Sequence, residues 1–291
     1  KRRLDSIGDL QSVVKTMKAM AAVNIRQYEK AAAALDEYSH TVELGLQAVL
    51  RQRSETAVTV RSASRESIVA LVFGSDQGMC GQLNEQVVRH CLDTLTELKI
   101  KPDGRDMLVV GHRAAGRLED ESQPVNDVFP VPTSIEGVTP LIQKLLLQIE
   151  GRLDQGGPRP VHLFYSRHLS GASYRPDRMR LLPLDRIWLE KLRQKSWPGP
   201  SLPLFSMDRN DLFSALVRQY LTVYLAAAAV QSLASENASR LAAMQGAEKN
   251  IEEQMEDLQR AYHQQRQMAI TEELLDIVSG FEALSRTGDG S

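Results

Sequence analysis

Proline sets the outer limits of what this chain can fold into. All twelve prolines lie between Pro102 and Pro203. A proline inside a helix removes a backbone donor and clashes with the preceding turn, so both chain ends are free to form long, unbroken helices. Their apolar pattern asks for such helices. Steps of three and four residues from Ile7 reach Leu10, Val14, Met17, Ala21, Asn24, Tyr28, Ala31, Leu35, Tyr38, Val42, Gly45 and Val49, and only Asn24 and Gly45 interrupt them. The same steps from Phe213 run through Tyr220, Val230, Met244, Ile251 and Leu258 to Ala269, with Asn237, Glu248 and Gln265 as interruptions. The phase then slips by one residue at Ile270 and continues through Leu274, Ile277, Phe281 and Leu284.

A period of 3.5 residues sustained this long predicts a coiled coil. A helix from Asp211 to Leu284 would run roughly 110 Å, and the N-terminal one roughly 70 Å. Helices of compact domains average about 11–12 residues, so rods of this length need a partner, and each terminus is the natural partner of the other. Charge favours the same pairing. Residues 1–30 hold seven basic side chains against three acidic ones, and residues 236–286 hold ten acidic against five basic. Any single pair on such faces contributes little; the opposite excesses act together. The stretch LAAAAV (Leu225–Val230) has small residues on every side, which predicts that another backbone encloses this part of the helix.

The middle reads as α/β. IVALVF (Ile68–Phe73) lacks any polar residue, as in a strand buried on both faces. MLVVG (Met107–Gly111) and VHLFYS (Val161–Ser166) are further strands, and residues 82–98 and 135–153 read as helices between them. This alternation predicts a small, mainly parallel sheet covered by helices. Residues 167–205 are basic and rich in proline and read as irregular, with a hinge near WPGPSLPLF. The fold class is therefore α/β plus coiled coil. A long antiparallel coiled coil of the two termini carries an inserted Rossmann-like α/β domain. The expected division is a helix over 1–55, a body over 66–184, a linker over 185–207 and a helix over 208–286.

The turn after the first strand, GSDQGMCGQLNE (Gly74–Glu85), is where α/β proteins commonly hold phosphate. It fails the P-loop spacing, since Met79 stands at the second glycine and no Lys-Ser or Lys-Thr follows. It also fails the dinucleotide fingerprint, with glycines at 74, 78 and 81. The histidines at 40, 90, 112, 162, 168 and 263 have no metal-ligand spacing, and there is no GxSxG nucleophile elbow. Catalytic residues, metal ligands and cofactors are expected to be absent. Net charge is -2, which argues against a nucleic-acid partner. Cys80 and Cys91 are too few for a disulfide framework; placed on one helix they would stand roughly 16 Å apart, so they read as free thiols. The opening KRR reads as the start of a helix, not as a secretory signal. No uninterrupted apolar run approaches the ~18 residues of a membrane span.

This architecture, with these residues, resembles the gamma subunits of rotary F-type ATP synthases. The densest match is Ser235–Leu284, on Ser235, Glu236, Arg240, Ala243, Met244, Tyr262, Arg266, Gln267, Ile270, Thr271, Glu273, Leu274, Ile277, Val278 and Gly280. The N-terminal match falls on Lys15, Met17, Lys18, Ala21, Ala22 and Arg26, and a third on Ser75, Asp76, Gly78, Cys80, Gly81, Leu83 and Asn84. Gln77 departs from the family's arginine, Gln82 from its glycine and Asn24 from its lysine. These departures point to a divergent branch, such as the alternative, sodium-type bacterial enzymes.

The resemblance implies a central rotor shaft with no catalytic site of its own. Its partners would be the alpha and beta subunits of the catalytic head, the epsilon subunit and the membrane c-ring. It would be peripheral to the cytoplasmic face of the bacterial inner membrane. Carried over residue by residue, Arg266, Gln267 and Thr271 would contact a loop of a beta subunit. Lys15, Met17 and Lys18 would lie near an acidic lever segment of beta, although Met17 also fits a plain seam position. Two other readings stay open on the residues alone. A nucleotide-dependent enzyme using the α/β body would bind ATP by itself, and a coiled-coil adaptor unrelated to ATP synthase would not co-purify with alpha and beta subunits.

Overall fold

The computed structural model describes residues 2–51, 66–201 and 203–288. Along the chain run α1 (Arg2–Arg51), β1 (Ile68–Phe73), α2 (Leu83–Glu97), β2 (Arg105–Val110), α3 (His112–Asp120), β3 (Asp127–Phe129), α4 (Val138–Gly156), β4 (Val161–Ser170), β5 (Ser173–Leu182), α5 (Arg186–Gln194) and α6 (Arg209–Gly288). Residues 52–55, expected at the end of the N-terminal helix, lie outside the described residues. The chain forms two compact units, Met20–Ala243 and Lys1–Ala19 with Met244–Ser291.

In the larger unit the sheet order is β3-β2-β1-β4-β5. β1 pairs in parallel with both β2 and β4, β2 pairs in parallel with β3, and β5 is antiparallel to β4. All six residues of β1 are buried, as their unbroken apolar run requires. Ile68, Ala70 and Val72 point to one layer, with Val87, Cys91 and Leu95 of α2 and Ala114 and Leu118 of α3. Val69, Leu71 and Phe73 point to the other, where α4, α1 and α6 converge on Leu145, Leu46 and Leu225. Each such fully buried Leu or Phe contributes about 1.5–3 kcal/mol.

The expected strands and helices of the body are present, and four elements join them. α3 and β3 are short, with only nine and three residues. β5 carries Pro176, which an edge strand tolerates because its outer N–H needs no ladder partner. α5 falls inside the stretch expected to be a linker. Asp185 caps it by accepting from the Ile187 N–H at 2.8 Å, and Leu189 and Leu192 are its buried face. The end of α1 holds this helix: the Arg51 guanidinium donates to the carbonyls of Arg193 and Lys195, and Gln47 donates to the Lys195 carbonyl.

The alanine-rich part of α6 is enclosed, as its composition predicts. Every residue from Ala228 to Ser239 is buried except the half-buried Gln231. By length and composition α6 is apolar enough to cross a membrane, with an 18-residue window of mean hydropathy 1.3. Its side chains at Tyr220, Val223, Leu225, Val230 and Leu233 instead share a core with the sheet and with α1 and α4. The helices run antiparallel within this unit: Asn24 donates to Asn237 at 3.2 Å, and further along Tyr224 donates to Glu43 at 3.0 Å.

Most polar groups in the enclosed stretch are partnered within the chain, while the buried Ser232 hydroxyl has no hydrogen-bond partner among the described residues. Ser235 donates to the Ser166 carbonyl at 2.9 Å, and Asn237 donates to the Leu233 carbonyl at 2.8 Å. Glu236 and Arg240 pair at 2.7 Å with side chains only 9% and 12% exposed. Burial raises the Glu236 carboxyl above its usual range, against the opposing charge of Arg240. Removing one member of such a pair strands the other without solvent. We expect Arg240→Met alone to destabilise the chain by about 3–5 kcal/mol and the double substitution Glu236→Gln, Arg240→Met to cost clearly less. Urea unfolding of the two variants checks this; equal losses would show that the pair is not the unit.

Candidate functional site

The residues singled out as partner contacts all lie in the smaller unit. There α1 and α6 meet through the Lys18 ammonium and the Glu248 carboxylate. Glu248 is one of the positions that interrupts the apolar seam, and the pair explains why it is tolerated. Side-chain exposure is 35% for Lys18 and 16% for Glu248, so part of the Lys18 charge is already answered within the chain. Lys15 is exposed and Met17 is half-buried, consistent with a place at the edge of the seam.

Arg266, Gln267 and Thr271 are exposed, and the Thr271 hydroxyl donates to the Gln267 carbonyl at 2.9 Å. Eighteen residues separate Glu248 from Arg266, roughly 27 Å of helix rise. The two sets of residues are therefore separate surfaces on one unit. The start of α1 packs beside the stretch of α6 around them: Arg3 and Leu4 line a groove of about 570 Å³ with Leu258, Tyr262, Gln265 and Met268.

Past Met268 the pattern changes. Ile270, Leu274, Ile277 and Val278 are 47–65% exposed. Leu10 and Val13 on α1 are likewise more than half exposed. Apolar side chains gathered this densely on a surface mark a binding face more often than a solvated one. The helical seam continues here in sequence with its apolar side chains exposed.

The glycine-rich turn belongs to the larger unit and is internally satisfied. Asn84 accepts from the Ser75 N–H at 2.9 Å and donates to its hydroxyl at 2.8 Å. One carboxylate oxygen of Asp76 accepts from the His112 N–H at 2.8 Å, and the other accepts from the Val131 N–H at 2.7 Å. Burial works against the Asp76 charge, but these bonds outweigh it and hold the carboxyl below its usual range. A Cβ on Gly74 would lie 2.3 Å from the Ala114 side chain, so β1 and α3 can pack only around glycine. Gly81 has φ +54, and the Ser239 hydroxyl of α6 donates to the neighbouring Cys80 carbonyl. The turn thus packs on the long helix. Cys80 sits in the turn and not on α2, and both cysteines are free and buried. Among the described residues no cluster of three His, Cys, Asp or Glu could hold a metal ion.

The family described as ATP synthase matches residues 1–284. The chain belongs to the ATP synthase family. It is 28% identical to the ATP synthase gamma chains of Cyanothece sp. and Nostoc punctiforme, in each case over 97% of both chains. A chain of the Euglena gracilis mitochondrial ATP synthase superposes with a TM-score of 0.64 at 17% identity, covering 100% of this chain and 94% of the other. A chain from the central stalk and c-ring of the Tetrahymena thermophila mitochondrial ATP synthase gives 0.57 at 20% identity, covering 81% and 99%. The long helices around a mainly parallel sheet are therefore the fold of this ATP synthase family.

Sequence reasoning missed two features of this family member that shape its surfaces. The Lys18–Glu248 pair was visible only as one basic and one acidic residue far apart in sequence. Of the polar layer, Asn24 and Asn237 were visible only as breaks in an apolar seam, and Glu236 and Arg240 only as positions of the family resemblance. The exposed apolar end makes a direct prediction for the isolated chain. Leu274→Ser with Ile277→Ser should change unfolding free energy by no more than about 0.5 kcal/mol, because these side chains are not part of a core. A loss of several kcal/mol in urea unfolding would contradict their exposure.

Proposed function

We propose that this chain is the central rotor shaft, the gamma-type subunit, of an F-type ATP synthase. It transmits torque between a membrane c-ring and a catalytic head of alpha and beta subunits, and so couples ion translocation to ATP synthesis or hydrolysis. The observation that carries this is the apolar end of α6, exposed from Ile270 to Val278 in a family member whose relatives are gamma chains. A shaft end that turns inside a sleeve of other subunits needs an apolar surface with few fixed polar bonds.

The subunit is non-catalytic in this reading, and the complex supplies the active sites. Arg266, Gln267 and Thr271 face a beta-subunit loop, and Lys15, Met17 and Lys18 face an acidic segment of beta lower on the shaft. The α/β body meets the epsilon subunit and the c-ring, which places the chain at the cytoplasmic face of a bacterial inner membrane without spanning it. Support comes from the exposure of Lys15, Arg266, Gln267 and Thr271 and the half-exposure of Met17 and Lys18 in the smaller unit, and from the internal hydrogen bonding of the glycine-rich turn.

The test is made in the assembled complex. Arg266→Ala with Gln267→Ala should lower ion-driven ATP synthesis several-fold while alpha and beta subunits still co-purify with the chain. Synthesis at the unsubstituted rate would reject the assigned contacts, and loss of alpha and beta from the wild-type preparation would reject the rotor reading itself.

A further inference from the structure

The rotor reading leaves one part of the body without a role. Residues 159–195 contain nine basic side chains against three acidic ones in a chain whose net charge is -2. The structure turns this stretch into β4, β5 and α5. β5 is the outermost strand of the sheet. Over its ten residues it pairs only with β4, and among the described residues no other backbone bonds to it. Pro176 leaves one position of this edge without a donor, and the backbone on either side of it is open to a further strand.

The side chains bordering that edge carry one sign. Arg180 stands opposite His162 and Arg178 opposite Phe164, so both arginines share the face that α2 covers; Arg175 stands opposite Arg167 on the other face. Arg175, Arg178 and Arg180 are exposed. Asp177, the one acidic residue of β5, is already taken by Arg167 at 2.6 Å. Arg180 reaches Asp185 only at 3.7 Å. Burial, then the charges of Arg178 and Arg180, push the His162 imidazole down to about 4, a sign that the positive field at this edge is not neutralised within the chain.

Two copies of this edge would set arginine against arginine, which disfavours self-association. A strand bearing carboxylates on both of its faces would meet Arg178 and Arg180 on one side and Arg175 on the other, while pairing with the open backbone on either side of Pro176. We infer that the β5 edge is a docking site for an acidic, extended segment of another subunit, which adds to the sheet as a sixth strand beside Ser173–Leu182. The inference rests on the rotor reading in that the partner belongs to the same complex.

Amide hydrogen exchange tests it, comparing the full chain alone with the purified complex and with a complex carrying R178E/R180E. The expected result is that amides of 173–182 exchange about tenfold or more slowly in the wild-type complex than in the free chain. That protection should be lost in R178E/R180E and weakened by high salt, while alpha and beta subunits stay bound. Equal exchange in free chain and intact complex overturns the inference and leaves the rotor reading standing. So does protection that persists in R178E/R180E, or that the free chain acquires from a second copy or from anionic lipid vesicles. A preparation lacking alpha and beta subunits overturns the rotor reading and the inference with it.

Discussion

The structure depends on a helix that is buried on every side. From Ala228 to Ser239, α6 is enclosed by the sheet, the glycine-rich turn and α1. A helix can be surrounded only if its side chains are small enough for neighbouring backbones to approach and its polar groups find partners without water. Alanine and serine satisfy the first condition. The hydroxyl bonds of Ser235 to β4 and of Ser239 to the turn meet the second in part, leaving the Ser232 hydroxyl without a partner among the described residues, and they fix the helix to two parts of the body at once. A larger residue at Ala228 or Ala229 would force these layers apart, and an unpartnered polar one would strand a donor in the core.

The same helix solves the opposite problem at its far end. Beyond Met244 the side chains facing away from α1 are solvent-exposed, and many remain apolar. Polar interruptions do different work along the way. Asn237 is buried and bonds to Asn24, which admits one helix register over its neighbours. Glu248 is partly exposed and pairs with Lys18, which contributes less to stability but adds to the match of the two helices.

Much of this was legible from local pattern. The proline-free ends, the 3.5-residue seam, the LAAAAV stretch and the all-apolar IVALVF each carry their structural meaning within a short window. β5 was not legible because Pro176 and alternating arginines resemble a loop; only the pairing with β4 makes them a strand, and pairing is a long-range fact. α5 was hidden by its short length, although Asp185 ahead of an apolar pair is a cap signal. The candidate contact residues were legible as a pattern of types, but whether Lys18 was free or paired depended on a residue 230 positions away. The turn was misleading in the other direction: its glycines resemble a phosphate cradle, yet Gly74 is needed for the close approach of Ala114.

The distribution of satisfied and unsatisfied groups separates the parts that hold this chain together from the parts that face others. Inside the body, Asp76 has bonds to both oxygens, Asn84 closes the turn, and Glu236 has Arg240. Such sites are finished within the chain and have no capacity left for a partner. The end of α6 and the outer edge of β5 are unfinished, the first in apolar area and the second in backbone bonds and countercharge. Exposed apolar side chains tolerate sliding, because rotation exchanges one dispersion contact for another of similar strength. A strand edge flanked by arginines does not, since a ladder and its ion pairs form in one register only. The two surfaces therefore suit different duties, the first a bearing against which the shaft turns and the second a joint that turns with it.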